Sequence, residues 1–286
     1  MESPKVSVIV PCFNHGAFLE EAVDSVFAQT CQDFEIIVVD DGSTDPATQR
    51  LFARFRRPRT QVLRSEHRGV AAARNLAIQQ SRGRYISALD ADDRLHPEFL
   101  ARTTALLDAD PGLAFCSTWL ETFGGESWVW RPERCDLPAL LAECVVLTAA
   151  PVRREAVLAV GGYDGERCAA GDEDWDLWLS LVERGLAGTI IPEVLFFYRR
   201  VPGSRSESCA RGETRLALWR NLLAKHRASY LAHASEVFLR KERQCGEILR
   251  DNWLLEYAIE AELRPQFEAR QAELARLQAA LAEEDR

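Results

Sequence analysis

An open α/β sheet, mostly parallel and flanked by helices, is the fold this sequence predicts, and three observations carry the prediction. Short continuous apolar runs, Val6-Ser-Val-Ile-Val10, Glu35-Ile-Ile-Val-Val39, Gln61-Val-Leu63 and Tyr85-Ile-Ser-Ala-Leu89, alternate with stretches of helical spacing. Strands without polar alternation are buried on both faces, as parallel strands covered by crossover helices are. Polar, turn-forming residues stand at the C-terminal tips of three of these strands, which is where open α/β sheets bind ligands. A chain of 286 residues, 47% of them hydrophobic, can build one large domain with an appendage.

The first strand, Val6–Val10, ends in Pro11-Cys-Phe-Asn14. Phe18, Ala22 and Val26 then recur at helical spacing, which predicts a helix over 18–28. The second strand, Glu35–Val39, ends in Asp40-Asp-Gly-Ser-Thr-Asp45. Gly42 permits a tight turn there, and Ser43 or Thr44 is expected to cap a helix over 46–55. Asp40 is then left without a local structural task, and its carboxylate can accept hydrogen bonds from a base or ribose. A strand over 61–63 and a helix over 70–80 lead to the fourth strand, whose tip is Asp90-Ala-Asp-Asp93. Three carboxylates this close are unfavourable unless a positive group sits among them. Mg²⁺ or Mn²⁺, which take oxygen ligands together with a substrate phosphate, suit that place. The competing reading is a solvated acidic turn in which Asp92 or Asp93 caps a helix.

Beyond Asp108 the pattern is irregular. Trp119, Trp128 and Trp130 flank Gly124-Gly125, which reads as strands joined by a loop. A helix over 153–160 runs into Gly161-Gly162-Tyr163-Asp164 as a cap and turn. Another helix begins near Gly171-Asp-Glu-Asp-Trp-Asp-Leu-Trp-Leu-Ser-Leu181. The helix dipole favours acids in a first turn, but Asp172, Glu173, Asp174 and Asp176 exceed that need. From Gly212 helix formers continue with one break at Pro265. Residues 212–250 hold 8 Lys or Arg against 4 Asp or Glu, and residues 251–286 hold 4 against 9. Phe267, Arg270, Leu274, Leu277 and Leu281 make a short 4-3 seam that suits a homodimer. The basic residues Lys225, Arg227, Arg240, Lys241 and Arg243, with Trp219, admit peripheral membrane contact. Acids interrupt that basic face, which favours a helical bundle packed on the preceding domain or on a partner chain.

The net charge of −9 argues against a general nucleic-acid binder. No apolar run approaches the roughly 20 residues that span a bilayer. Eight cysteines lie far apart with no CxxC pair, and Met1-Glu-Ser-Pro-Lys5 does not read as a signal peptide. Reduced thiols in a cytoplasm, with no structural zinc, are the expectation.

Taken in order, Pro11-Cys-Phe-Asn14, Val39-Asp-Asp-Gly-Ser-Thr-Asp45, Gly69-Val-Ala-Ala-Ala-Arg-Asn75, Gly83-Arg-Tyr-Ile86, Leu89-Asp-Ala-Asp-Asp93, Gly161-Gly-Tyr-Asp164, Glu173-Asp-Trp-Asp-Leu-Trp-Leu179 and Tyr198-Arg199 with Gly203-Ser204 resemble the family-two inverting glycosyltransferases with a GT-A fold. The resemblance covers residues 4–206. It implies a GT-A domain over 1–211, divided into a nucleotide-sugar half (1–108) and an acceptor half (109–211), followed by a helical extension over 212–286. It further implies transfer from a nucleotide sugar, most often a UDP-sugar, to the hydroxyl of a saccharide or lipid-linked saccharide in surface-glycan assembly. On that reading the enzyme is cytoplasmic or lies at the inner face of the membrane.

The residue roles implied by the resemblance are specific. Asp40 would bind the base, with Pro11, Phe13 and Asn14 walling the nucleoside pocket. Arg74 would lie near the nucleotide or pair with an acid on the neighbouring strand. Asp90 would sit by the ribose or donor sugar, Asp92 would hold Mn²⁺ or Mg²⁺ with Asp93 in support, and Asp174 would be the catalytic base. Relatives often carry a histidine just after the Tyr-Arg pair; here Val201 stands there, leaving Arg199, Arg200 and Arg205 to supply positive charge.

Two other classes compete. A Mg²⁺-dependent phosphohydrolase of the haloacid-dehalogenase type would carry its aspartates on the first strand, and a P-loop or dinucleotide fold would need glycines there. A nucleotidyltransferase on a similar sheet stays open. A non-catalytic nucleotide-sugar-binding protein would not need Asp92, Asp93 and Asp174.

Overall fold

The computed structural model describes residues 3–125, 127–166, 171–201, 212–258, 261, 264–272 and 276. Cys168, Gly203, Ser204, Arg205, Cys209, Leu274, Leu277 and Leu281 lie outside them. The chain forms two compact units, Met1–Ala234 and Ser235–Arg286.

In the first unit, β1 (Val6–Cys12) and β2 (Phe34–Asp40) are buried along their whole length. Helix α1 (Gly16–Phe27) connects them, and α2 (Pro46–Arg54) leads from β2 to β3 (Thr60–Arg64). Then α3 (Val70–Gln80) crosses to β4 (Tyr85–Ala88). These four strands are parallel in the order β3-β2-β1-β4, so the chain leaves β1 on one side and returns to it on the other. Connections that part in this way open a crevice at the C-terminal ends of β1 and β4. The β1–β2 register runs from Val6 opposite Phe34 to Cys12 opposite Asp40, which puts both tips at that crevice.

The rest of the sheet is mixed. Among the described residues the elements are β5 (Arg94–Leu95), α4 (Phe99–Ala109), β6 (Leu113–Phe123), β7 (Val129–Trp130), α5 (Leu137–Ala142), β8 (Val152–Arg153), α6 (Arg154–Val160), α7 (Glu173–Val182) and β9 (Ala187–Arg199). They extend the order as β4-β8-β6-β9-β5, with β7 on β6. Only β6–β9 is parallel in this half.

The local chemistry corrects one expectation. Neither Ser43 nor Thr44 caps α2; Asp45 does, accepting the Thr48 N–H at 2.8 Å, with Pro46 in the first turn. The two hydroxyls instead accept from Asn14, the Ser43 Oγ from its backbone N–H and the Thr44 Oγ1 from its Nδ2. Helix α6 closes as expected on Gly161 in the left-handed region. Gly162 also has positive φ, and a Cβ there would stand 2.4 Å from Asn75 Oδ1, so only glycine fits.

Helices α8 (Gly212–Lys225) and α9 (Arg227–Ala232) pack on α7. Trp219 meets Trp175 edge to face at 5.0 Å, and Leu218, Leu222 and Tyr230 are buried. His226 is buried with Nδ1 2.8 Å from Glu183 Oε2 and Nε2 3.1 Å from Asp176 Oδ1. Burial alone would lower the imidazole pKa, but the bonds to Asp176 and Glu183 outweigh it and raise the value above 6.5. Lys225 also faces Asp176, and Tyr230 lies near Glu183. A raised histidine pKa adds stability that is complete below the unfolded value and is lost as pH rises through the folded one. The thermal midpoint should therefore fall above about pH 6.5, the unfolded histidine value. His226→Gln should flatten that slope, whereas an unchanged slope in the variant would place its origin elsewhere.

In the second unit, which begins within α10 (Ala234–Ala258), Phe238, Leu239, Ile248, Leu249 and Trp253 are exposed. Phe267 and Arg270 of the expected seam are helical and exposed; its three leucines fall outside the described residues.

Candidate active site

At the β1 tip, Pro11 and Cys12 are buried, and the exposed Phe13 ring stacks on His67 with centroids 3.9 Å apart and 16° between planes. Asn14 adopts φ +57°, and its Oδ1 accepts the N–H groups of Thr44 and Asp45, each at 2.8 Å. It thereby joins the β1 tip to the loop after β2. Asp40 does have a local task, contrary to the sequence reading: its Oδ1 accepts the Ser43 N–H at 3.0 Å. Its Oδ2 makes no hydrogen bond among the described residues.

Sequence reasoning missed Asp41. This buried carboxylate accepts from Ser65 Oγ and the N–H groups of Arg68 and Gly69, and it faces His67 Nδ1 at 3.0 Å. It pins the 65–69 loop against β2 and so seats His67 under Phe13. The doubled aspartate at a strand tip was the available signal.

At the β4 tip the three acids have different surroundings. Asp90 Oδ1 accepts from Arg74 at 2.7 Å, and the other end of the same guanidinium donates to Glu173 Oε1 at 2.7 Å. Arg74 is 2% exposed and lies 5.2 Å from the Tyr163 ring centroid. One α3 side chain thus ties the tip of β4 to the start of α7. Asp93 is 3% exposed, and its Oδ1 accepts the Arg199 N–H at 2.8 Å. The Asp92 side chain is 19% exposed, against 36% for Asp90, with His15 Nδ1 3.7 Å away. Burial raises the pKa of Asp92, with Asp90 adding to it, and burial together with Asp92 and Asp90 raises Asp93 well above the usual carboxylate range. Neither residue caps a helix, because Arg94-Leu95 follow as β5.

Arg199 underpins this turn. Its Nε donates to the Asp92 carbonyl at 2.8 Å, it pairs with Glu21, and its guanidinium lies over Phe18 and Phe123 at 4.6 and 4.4 Å. That cation is engaged from beneath the turn.

At the start of α7, three of the four acids meet cations. Asp172 pairs with Arg215 at 3.0 Å, Glu173 with Arg74, and Asp176 with Lys225 at 2.6 Å and with His226. Asp174 makes no salt bridge among the described residues. Its Oδ2 accepts from Thr148 Oγ1 at 2.5 Å and its Oδ1 from the Trp175 N–H at 2.8 Å. Burial and then the charge of Glu173 push its pKa up to about 6. Thr148 belongs to a segment fixed by Leu147 N–H donating to Ser117 Oγ and by Ser87 Oγ donating to the Ala149 carbonyl. Nothing in the local sequence announced it.

Comparison with known proteins agrees with this geometry. The model of glycosyl transferase family 2 matches residues 7–154. An uncharacterised protein of Sinorhizobium fredii, y4gI, is 31% identical over 72% of this chain, and the match spans 23% of that relative's length. Among solved structures, S. aureus TarS 1–349 in complex with UDP-GlcNAc superposes with a TM-score of 0.61 at 19% identity, covering 71% of this chain and 61% of that one. The mannosyltransferase PcManGT from Pyrobaculum calidifontis, in complex with GDP-Man and Mn²⁺, gives 0.58 at 20% identity over 91% of this chain and 85% of that one. At these identities the likeness speaks for the fold, a GT-A type α/β sheet flanked by helices. The match to the family model covers just over half of the chain, and with it the chain belongs to glycosyl transferase family 2.

Proposed function

We propose that this chain is an inverting, metal-assisted glycosyltransferase that moves a sugar from a nucleoside-diphosphate donor, a UDP-sugar first among them, to an acceptor hydroxyl. The observation that supports this most is the Arg74 bridge, because it joins the acidic β4 tip to the helix that carries Asp174. A donor's leaving group and an acceptor's base have to meet at one sheet edge. Asp40 would take the base through its Oδ2, with Pro11, Phe13 and Asn14 lining the nucleoside pocket and Asp90 beside the ribose or sugar. Asp174 would accept the proton of the attacking hydroxyl as the new glycosidic bond forms and the bond to the diphosphate breaks on the opposite face.

The acidic tip fits a hard divalent cation. Burial and mutual repulsion raise Asp92 and Asp93, as expected for carboxylates that share a place for positive charge. Among the described residues no group of three or more His, Cys, Asp or Glu is arranged to hold a metal ion by itself. Mg²⁺ and Mn²⁺ need none, since one or two carboxylates plus substrate phosphates hold them. Asp92 would bind the ion and Asp93 support it from below. When bound, the ion would neutralise charge on the departing diphosphate.

The proposed organisation is a GT-A domain over 1–211, with its donor half at 1–108 and its acceptor half at 109–211, and a helical extension over 212–286. The acceptor is proposed to be a saccharide or lipid-linked saccharide of surface-glycan assembly, handled at the cytoplasmic face of the membrane. No described helix is long and apolar enough to cross a bilayer. The exposed apolar side chains of α10 support a role for the C-terminal unit in joining a second copy. A monomeric mass by light scattering would remove that role.

A thermal-shift panel of UDP-, GDP- and dTDP-sugars, with and without Mn²⁺, tests the central reading. Stabilisation grows as the logarithm of ligand concentration over Kd, so a true donor stands out. One nucleotide sugar should give a Mn²⁺-dependent shift and slow release of nucleoside diphosphate. No shift with any of them would sink the proposal.

A further inference from the structure

Around Asp174 the contacts close into a ring. On α3, Arg74 and Asn75 are neighbours. Asn75 Oδ1 accepts the Tyr163 N–H at 2.9 Å, and its Nδ2 donates to the Tyr163 carbonyl at 2.8 Å. The next residue, Asp164, accepts from Lys225 Nζ at 3.0 Å, and the same ammonium donates to Asp176 Oδ2 at 2.6 Å. Asp176 lies on the first turn of α7 beside Glu173, which returns the path to Arg74 at 2.7 Å. Asp174 sits on that turn between the two tied acids.

The links are unequal. Arg74 and Asp176 are almost wholly buried, whereas Lys225 keeps a quarter of its side chain exposed and reaches in from the end of α8. Lys225 therefore belongs to a segment beyond the family-matched residues 7–154, yet it holds both the Tyr163-Asp164 loop and the acidic helix. His226 holds Asp176 as well, so α7 stays docked without Lys225. What Lys225 adds is a direct ion-paired tie between that helix and the loop.

We propose that Lys225 is a positioning residue for transfer: by bonding Asp164 and Asp176 together it closes the ring that fixes the first turn of α7 and so aims the Asp174 carboxylate. The proposal rests on Asp174 being the base. A shift of about 1 Å in a reacting group can cost roughly 10²-fold in rate. Opening the ring should therefore act on kcat and leave the donor pocket at β1 and β2 alone.

The test compares Lys225→Met, Lys225→Arg, Asp164→Asn and Asp174→Asn, using release of nucleoside diphosphate from the nucleotide sugar that the Mn²⁺ panel selects. Lys225→Met and Asp164→Asn should each lower kcat about 10- to 100-fold, the range expected for a misplaced base, with donor KM unchanged. Asp164→Asn leaves the Lys225–Asp176 pair in place, so it serves if Lys225→Met folds poorly. Lys225→Arg should recover much of the loss. In the Asp174→Asn background, Lys225→Met should lower turnover no further, because both act through one group. Wild-type kcat in the Lys225 and Asp164 variants, with Asp174→Asn inactive, would overturn the positioning role and spare the base. An active Asp174→Asn would overturn both.

Discussion

Asp174→Asn is expected to keep donor binding and to lose transfer by about 10²- to 10⁴-fold, the usual worth of a general base. The site gives reasons for both halves. Asp174 touches no donor-pocket residue named above, and Asn keeps its carbonyl for the Trp175 N–H while its Nδ2 donates to the Thr148 hydroxyl, which can accept as well as donate. What Asn cannot do is take a proton. A base must also be free of a cation at close range, and here the neighbouring acids are engaged: Asp172 by Arg215, Glu173 by Arg74, Asp176 by Lys225 and His226. Helix capping does not explain Asp174, because the cap position of α7 belongs to Asp172.

The pH profile gives a second reading of the same residue. Burial and Glu173 push the Asp174 pKa up to about 6, and the working form of a base is the ionised one. Wild-type kcat/KM should rise with pH through about 6 and then level, while the Asn variant should lack that limb. The stability sign runs the other way. A carboxyl whose folded pKa is raised binds protons more tightly in the native state, so stability falls as pH rises from the unfolded value to the folded one. At neutral pH the Asn variant should therefore melt no lower than wild type. Near wild-type single-turnover transfer by that variant would move the base to another carboxylate.

The parallel half of the sheet was legible because its signals are local. Val6–Cys12 and Phe34–Asp40 are buried throughout and read as β-rich, mainly apolar runs, and α3 spans Val70–Gln80 as expected. The mixed half hides its pairing. Strands β5, β7 and β8 have two residues each, too few for any period, and the sequence reading put Arg153 at the start of a helix. It is instead a strand residue that donates to the Leu107 and Leu113 carbonyls.

The candidate site divides in the same way. Residues at strand tips could be named in advance because topology sends them to one edge. Their partners could not, since Arg74 and Glu173 are 99 positions apart and Thr148 and Asp174 are 26 apart. The surplus of acids in α7 was visible, but its explanation lay in Arg215, Lys225 and His226. Composition marked those residues only as part of a basic segment.

Asp92→Ala is expected to abolish the metal-dependent part of donor binding while leaving the fold intact. The three acids at the β4 tip are not equivalent. Asp90 has one oxygen neutralised by Arg74, and Asp93 turns inward to the Arg199 N–H, which leaves Asp92 as the carboxylate without an arginine on it, its nearest cationic group being His15 Nδ1 at 3.7 Å. The turn itself does not depend on that side chain. The Arg199 Nε bond goes to the Asp92 carbonyl, and the Asp93 N–H donates to the Asp90 carbonyl. Alanine also removes one of the like charges that raise Asp93, so the ligand-free variant should melt at or above the wild-type temperature. With donor at about 100 times Kd, bound ligand stabilises by about 2.7 kcal/mol, and the Mn²⁺-dependent share of that shift should vanish. Wild type in EDTA should behave as the variant does, and calorimetry with Mn²⁺ alone should show binding weakened by Asp92→Ala. Full turnover of wild type in EDTA, with metal content verified as nil, would remove the cation from this site and leave the raised carboxylates to be explained by burial and mutual repulsion.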